Sequence, residues 1–177
     1  IRFLRKINIK KGDRVVAYMP NTIETVEAFI ASSSIGSIWS SCSPDFGIRG
    51  VVERFSQINP KVLFITDQYF YNGTKIDILE RLPEILQYIP SIKNVVVVNY
   101  PGKKFIKNRK KLKKIKLFKW NELMQISSEK ITFKKFDFEN ELAILYSSGT
   151  TGKPKCICHR SGGVLLQHIK EHQLHCN

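Results

Sequence analysis

Residues 142–155 read Leu-Ala-Ile-Leu-Tyr-Ser-Ser-Gly-Thr-Thr-Gly-Lys-Pro-Lys. The first part, Leu142–Tyr146, is a continuous apolar run with the length and character of a buried β-strand. The second part is rich in glycine and hydroxyl groups and follows that strand directly. Open α/β sheets place their ligands at the carboxyl ends of the strands. We therefore expect Tyr146–Lys155 to form a ligand-binding loop at such an end.

The composition of this loop suits a polyphosphate. Gly149 and Gly152 allow backbone N–H groups to approach a phosphate without a Cβ in the way. Hydroxyl groups can donate hydrogen bonds to phosphate oxygens, and ammonium groups add positive charge that complements the anion. The loop supplies these groups from Ser147, Ser148, Thr150, Thr151, Lys153 and Lys155. The loop is not a Walker A motif, because two residues separate its glycines where that motif has four before Gly-Lys. An ordinary polar surface turn is the alternative interpretation.

The rest of the chain alternates between strand-like and helix-like segments, which predicts an α/β fold with a largely parallel sheet flanked by helices. Besides Leu142–Tyr146, the predicted strands are Arg14–Met19, Ile38–Ser41, Val62–Thr66, Val95–Val98 and a strand leaving the loop at Cys156–His159. No linker divides the chain into two domains. We expect Trp39 and Trp120 to be packing residues.

Five helices are predicted from capping residues and apolar spacing. The first has Asn21 as N-cap with Glu24 in a capping box, and it ends at Gly36. Its expected buried face is Val26, Phe29, Ile30 and Ser33 or Ser34. Asp45 is expected to cap the second helix. The second helix is predicted over Gly47–Ile58, and the third over Ile76–Ile89 with an interruption at Pro83. A short fourth helix is predicted near Trp120–Gln125, and an amphipathic fifth helix over Gly162–Cys176.

Composition is that of an ordinary globular protein, with 42% hydrophobic and 25% charged residues among 177. No apolar run approaches the roughly 20 residues of a bilayer span. Most of the net charge of +14 comes from one segment, because Lys103–Lys116 holds nine basic residues and no acid. Such a block is typical of a solvated loop. A nucleic-acid-binding module is the alternative, and salt-sensitive binding lost on neutralising Lys103–Lys116 would identify it.

Four cysteines do not make a secreted disulfide framework at this length, so the sequence favours a reducing cytoplasm. A zinc site is a further alternative, because cysteines and histidines concentrate near the C-terminus. The Cys-x-Cys spacing is too short for a zinc finger, so we assign no metal ligand. The residues concerned are Cys156, Cys158, His159, His168, His172, His175 and Cys176.

The loop Tyr146–Lys155 resembles the phosphate-binding signature of the adenylate-forming superfamily, which includes acyl-CoA synthetases, luciferases and peptide-synthetase adenylation domains. Further segments are more similar to the acetoacetate-activating acyl-CoA synthetases than to the acetate-activating ones. They are Gly12–Val15, Met19–Asn21, Gly36–Gly47, Tyr71–Gly73 and Gly163–Cys176. The similarity covers nearly the whole chain except the basic segment.

The resemblance implies an ATP-dependent acid–thiol ligase of the cytoplasm, acting on ATP, coenzyme A and acetoacetate or another short-chain carboxylate such as acetate or propionate. Nucleic acid and membrane are not implied partners. The loop would hold the β- and γ-phosphates of ATP, and Lys153 is left out because its position can simply face solvent. The implied phosphate-binding residues are Ser147, Ser148, Gly149, Thr150, Thr151, Gly152 and Lys155.

The resemblance also implies a coenzyme A contact at Asn72, Gly73 and Lys75, within Tyr71–Lys75. Only Lys75 supplies charge there, so a plain Asn-Gly turn is the alternative. The family's catalytic lysine and the acidic residue that helps to hold Mg²⁺ are expected downstream of the chain.

The resemblance implies that residues 1–177 form part of the large N-terminal adenylation domain, truncated at both ends and without the C-terminal domain. The first residue is Ile1 and not methionine, which agrees with this expectation. We therefore expect the chain alone to be inactive. An incomplete sheet would also leave open strand edges, so we expect the isolated chain to be marginally stable and prone to aggregation.

Overall fold

A computed structural model describes residues 1–99, 115–125, 131–148 and 152–176. Within these ranges, helices and strands alternate along the chain. The helices are α1 (Arg2–Lys6), α2 (Ile23–Ser33), α3 (Ile48–Phe55), α4 (Leu82–Tyr88), α5 (Trp120–Met124) and α6 (Ser161–Leu174), with a 3₁₀ turn at Leu79–Arg81. The strands are β1 (Arg14–Tyr18), β2 (Ile38–Cys42), β3 (Val62–Thr66), β4 (Gln68–Tyr71), β5 (Thr74–Asp77), β6 (Asn94–Val98), β7 (Lys116–Lys119), β8 (Glu141–Ser147) and β9 (Lys155–Arg160).

Seven of these strands form one sheet in the order β7-β6-β3-β1-β2-β8-β9. Neighbours in this sheet are parallel, except that β8 and β9 are antiparallel. The strands β4 and β5 form a separate antiparallel hairpin. The predicted largely parallel sheet flanked by helices is therefore confirmed. The predicted strands are present with small shifts at their ends, whereas β4, β5 and β7 were not predicted.

The core lies on both faces of the sheet. Successive side chains of a strand point to opposite faces, so Val16 and Tyr18 of β1 join one apolar cluster while Val15 and Ala17 join the other. Helices α3 and α4 pack on the first face, and α1 and α2 pack on the second. Every residue of β3 and β6 is buried. Coverage of both faces explains why these strands are apolar runs without alternation.

Both tryptophans pack against the core, as predicted. Trp39 is 6% exposed, and its ring centroid lies 6.3 Å from that of Phe64. The Trp120 centroid lies 6.1 Å from the same Phe64 ring in an edge-on arrangement. Phe64 therefore joins the two indole rings on the α1–α2 face of the sheet.

The prediction for α2 was wrong in its cap and in most of its buried face. The N-cap is Thr22 rather than Asn21, and no side-chain hydrogen bond caps the helix. The buried residues are Ala28 and Ser32, while Val26 and Ile30 are about half exposed. Small residues allow the helix backbone to lie close to the sheet, and the Ser32 hydroxyl is satisfied by donating to the Ala28 carbonyl at 2.7 Å.

The larger apolar residues of α2 consequently lie beside the contact between this helix and the sheet. Phe29 is half-buried and lies against Trp39, with ring centroids 5.9 Å apart. The Ser33 and Ser34 hydroxyls donate hydrogen bonds to the Ile30 carbonyl, and neither residue belongs to a buried face. Apolar spacing therefore identified the helix but not its orientation.

The prediction that Asp45 caps α3 was also wrong. The N-cap is Gly47, and the Asp45 carboxylate accepts hydrogen bonds from the Ser43 and Tyr69 hydroxyls at 2.6 and 2.7 Å. These two donors hold the carboxylate in the loop before the helix. Tyr69 lies on a different element, so no local sequence pattern identified it as a partner of Asp45.

The predicted helix over Ile76–Ile89 is shorter than expected. Residues Thr74–Asp77 form β5, and α4 begins only at Leu82, after the 3₁₀ turn. Pro83 lies in the first turn of α4, where a missing N–H costs no intrahelical hydrogen bond. The proline therefore starts this helix instead of dividing it. Buried Leu82 and Ile85 anchor α4 to the core.

The predicted C-terminal helix is present as α6, but Gly162 is its only buried residue. Its apolar side chains are exposed among the described residues; they include Leu165, Leu166, Ile169 and Leu174. In the described part of the chain, no helix combines the length and the apolar content needed to span a membrane.

Two glycines make room for phenylalanines of the segment 131–140, which leads into β8. A Cβ on Gly162 would lie 2.1 Å from the Phe138 ring, and one on Gly36 would lie 2.6 Å from the Phe136 ring. The amide of Gly162 also donates to the Phe138 carbonyl at 2.9 Å. These contacts hold the segment 131–140 against the start of α6 and against the turn before β2.

We expect Gly162→Ala to destabilise the protein by about 1 kcal/mol or more, because the new methyl group must displace Phe138. The adjacent Gly163→Ala is the matched control, since nothing lies within 4 Å of its Cβ. Alanine is favoured over glycine in a helix by about 0.5–1 kcal/mol, so the control should be neutral or stabilising. Thermal unfolding followed by circular dichroism measures both. Equal midpoints for the two variants would contradict the described contact.

Candidate functional site

The candidate loop begins at the carboxyl end of β8. This strand pairs in parallel with β2 through Trp39 and Ala143, and with β9 on its other side in antiparallel orientation. Its end therefore lies on the same edge of the sheet as the ends of β1, β2, β3 and β6. The prediction that the loop emerges at the carboxyl ends of parallel strands is confirmed.

The antiparallel register places Ser147 and Lys155 opposite each other at the two ends of the loop. Directly opposed residues of an antiparallel pair project to the same face. A hydroxyl and an ammonium group thus lie on one face where the loop opens. Ser147 is half-buried, whereas Ser148 and Lys155 are exposed. Three further predicted phosphate-binding residues, Gly149, Thr150 and Thr151, lie outside the described residues.

Gly152 has a backbone conformation that few residues other than glycine adopt. Its φ of +145° is strongly disfavoured for residues with a Cβ, and nothing lies within 4 Å of where a Cβ would be. The neighbouring Lys153 is exposed, in agreement with the solvent-facing position expected for it. The described part of the loop is therefore open, cationic and rich in donors, which fits an anionic ligand such as a polyphosphate.

Tyr146 anchors the beginning of the loop below the sheet edge. The Ser40 hydroxyl donates to the Ile144 carbonyl at 2.7 Å and lies 3.2 Å from the Tyr146 hydroxyl. Burial raises the pKa of Tyr146 well above its ordinary value, and the hydrogen bond with Ser40 opposes this shift. Tyr146 is therefore a neutral, fixed residue and not a candidate acid or base at physiological pH.

Helix α3 contacts the loop at both of its ends. The Arg54 guanidinium lies over the rings of Phe46 and Tyr146, at 4.2 and 5.8 Å from their centroids. At the other end, the Gln57 amide donates to the Pro154 carbonyl at 2.9 Å. Sequence reasoning missed Gln57, which is 97 residues away from Pro154 and carries no local signal of this contact.

A hydrogen-bonded network holds the neighbouring loop between β2 and α3. The buried Tyr18 hydroxyl donates to the Phe46 carbonyl at 2.5 Å, and Arg81 donates to the Tyr18 hydroxyl and to the same carbonyl. Tyr69 donates to Asp45 from the side of β4. Burial raises the pKa of Tyr69 to about 12, and the hydrogen bond to Asp45 acts in the same direction. The sequence analysis did not predict this network.

The candidate coenzyme A residues lie on the β4–β5 hairpin, which also follows a strand end at this edge. Asn72 and Gly73 have φ values of +46° and +73° and form its turn, as the alternative interpretation of an Asn-Gly turn predicted. Lys75 is exposed on β5. The turn is confirmed, whereas the coenzyme A contact at Asn72, Gly73 and Lys75 stays a prediction.

The cysteines near the loop lie on β9, where Cys156 and Cys158 are opposite Tyr146 and Ile144. Within the described ranges, no group of three or more His, Cys, Asp or Glu side chains is arranged to hold a metal ion. All four cysteines are free. The basic segment lies outside the described residues over 103–114, and only Ile115 and Lys116 of its end are described.

The family was identified by comparison with known proteins. The profile of the family described as AMP-binding enzyme matches residues 2–175. The chain belongs to the AMP-binding enzyme family.

Individual known proteins are also similar to the chain. It is 45% identical to "Acetoacetyl-CoA synthetase" of Macaca fascicularis, over 98% of the chain and 26% of the relative. It is 42% identical to "Acetoacetyl-coenzyme A synthetase" of Rhizobium meliloti (strain 1021), with the same coverage. The solved "Acetoacetyl-CoA Synthetase from Streptomyces lividans" matches with a TM-score of 0.88 and 35% identity, over 99% of the chain and 26% of that structure. The chain spans about a quarter of the length of these relatives.

The cysteines of this chain should differ sharply in reactivity. Cys42 is 4% exposed, and burial raises its pKa to about 12, whereas Cys156, Cys158 and Cys176 are exposed. We expect iodoacetamide to modify the three exposed thiols under native conditions and Cys42 only after unfolding, because the thiolate is the reactive form. Peptide mass spectrometry measures each site. Protection of Cys156 and Cys158 that a chelator abolishes would instead support the zinc alternative.

Proposed function

We propose that the chain is part of an ATP-dependent acid–thiol ligase that makes acetoacetyl-CoA from acetoacetate. The observation that carries this proposal is the 42–45% identity to acetoacetyl-CoA synthetases over nearly the whole chain. The described geometry supports it, because the donor-rich loop opens at the carboxyl edge of a parallel sheet. The alternative within the same class is a synthetase for another short-chain carboxylate, such as acetate or propionate.

The proposed reaction has two steps. An acetoacetate carboxylate oxygen attacks the α-phosphorus of ATP, forming acetoacetyl-AMP and releasing pyrophosphate. The thiol of coenzyme A then attacks the acyl carbonyl carbon, loses its proton and displaces AMP. Adenylyl transfer of this kind depends mainly on positioning and on stabilisation of negative charge.

The proposed role of the loop is to hold the β- and γ-phosphates. Ser147 and Ser148 donate hydroxyl hydrogen bonds, Lys155 supplies positive charge, and Gly149 and Gly152 let backbone amides approach the anion. Thr150 and Thr151 are proposed to add hydroxyl donors. Mg²⁺ would neutralise phosphate charge, and its acidic ligand is proposed to lie in a part of the protein outside this chain. Asn72, Gly73 and Lys75 are the proposed contacts for coenzyme A.

We further propose that residues 1–177 contribute part of a larger N-terminal adenylation domain, since the chain spans about a quarter of its relatives. The catalytic lysine would then belong to a separate C-terminal domain. Four free cysteines favour a reducing compartment, and we propose the cytoplasm. The proposed partners are small molecules: ATP, coenzyme A and a short-chain carboxylate.

The proposal is tested by assaying the complete protein that contains this chain. We expect pyrophosphate release that requires ATP and acetoacetate, followed by acetoacetyl-CoA formation when coenzyme A is added. Acetate and propionate at equal concentration should give much slower rates. A faster rate with acetate or propionate would support the alternative synthetase, and the absence of any carboxylate-dependent pyrophosphate release would refute the ligase proposal.

The loop lysines provide a matched pair of variants. We expect Lys155→Met to lower kcat/KM for ATP by roughly 10- to 100-fold, the usual effect of removing a hydrogen bond to a charged group. Lys153→Met removes the same charge one residue beyond Gly152 and should change kcat/KM by much less. Steady-state kinetics at fixed ionic strength measures both variants. Equal losses in the two would show that only general charge at the loop matters.

A further inference from the structure

Helix α3 and the turn that follows it contact the candidate loop near its two ends, at Tyr146 and Pro154. We propose that Gln57 is a positioning residue that fixes the exit of the loop and thereby sets its affinity for the phosphates of ATP. This inference rests on the proposed function of the loop and adds a residue to it. Gln57 follows α3 by two residues and belongs to a different part of the sequence from the loop itself.

The Gln57 side chain has both of its amide hydrogens engaged. It donates to the Glu53 carbonyl at 2.7 Å, within its own helical turn, and to the Pro154 carbonyl at 2.9 Å. The first bond ties the side chain to α3, so the second ties the loop to α3. A side chain held at two points loses little further freedom when the loop is occupied.

Pro154 is a suitable point at which to fix the loop. It is buried, whereas its neighbours Lys153 and Lys155 are exposed. A proline has no N–H, so its carbonyl is its only backbone hydrogen-bonding group, and Gln57 satisfies it. The carbonyl belongs to the peptide unit that leads into Lys155. Its orientation therefore affects where the proposed phosphate-binding ammonium group lies.

The entry of the loop is held from the same helix by a different contact. Arg54 donates to the Gly50 carbonyl at 2.9 Å and lies over the rings of Phe46 and Tyr146. The hydrogen bond keeps the guanidinium on α3, and the stacking keeps it against Tyr146. The described ends of the loop are thus fixed to α3 and to the turn that follows it. Such preorganisation reduces the entropic cost of ordering the loop around a phosphate.

The test is Gln57→Met in the complete protein, because methionine keeps the length of the side chain and removes both donors without adding charge. We expect the KM for ATP to rise by roughly 3- to 10-fold, the effect of losing one neutral hydrogen bond. The KM for acetoacetate should stay near that of the unsubstituted protein. Gln167→Met is the matched control, since Gln167 is an exposed helical glutamine whose amide donates to the Glu171 carboxylate at 2.7 Å.

A double-mutant cycle with Lys155→Met distinguishes positioning from general stabilisation. If Gln57 acts through Lys155, Gln57→Met should weaken ATP binding less in the Lys155→Met background than alone. A Gln57→Met variant with a lowered thermal midpoint and an unchanged KM for ATP would overturn the inference. An equal rise in both KM values would do the same. Lack of ATP-dependent activity in the unsubstituted protein would instead refute the proposed function, and the inference with it.

Discussion

The parallel pairing of β2 with β8 is the contact on which the candidate site depends. The two strands are about a hundred residues apart in sequence, and the buried Ser40 hydroxyl joins them by donating to the Ile144 carbonyl, 104 positions away. Without this pairing, β8 and its loop would have no fixed relation to β1, β2 and β3. With it, Ser147 emerges at the same edge as the ends of the central strands. The position of the candidate loop is therefore a consequence of long-range sheet pairing.

The carboxyl edge is further organised by side chains that reach between its loops. Tyr18, Arg81 and Tyr69 come from three different elements and converge on residues 44–46. Arg54 of α3 and Gln57, just beyond that helix, then contact the two ends of the candidate loop. The network is mostly hydrogen bonds to backbone carbonyls. Such bonds fix the course of loops that have little apolar surface of their own to bury.

Family membership and physical reasoning support each other at this edge. The loop has the glycines, hydroxyls and lysine that a polyphosphate requires, and the chain belongs to the AMP-binding enzyme family. The described geometry also explains why Lys155 and Lys153 need not be equivalent, although they are two residues apart. Lys155 lies in the β8–β9 register opposite Ser147, whereas Lys153 precedes that register. Gln57, two residues beyond α3, donates to the carbonyl of Pro154 between them.

The sequence by itself determined most strands of the central sheet, the place of the candidate loop after β8 and the Asn72-Gly73 turn. These features depend on local chemistry: continuous apolar runs, a segment rich in glycine and hydroxyl groups directly after one of them, and an Asn-Gly pair suited to a tight hairpin. The tertiary structure decided which face of α2 is buried, because Ala28 and Ser32 permit a closer approach than Val26 and Ile30. It also decided that Asp45 accepts from Tyr69 instead of capping α3, and that Gln57 holds Pro154. Each of these depends on a partner brought near by sheet pairing, and no local pattern encodes the distance between residues that are far apart in the chain.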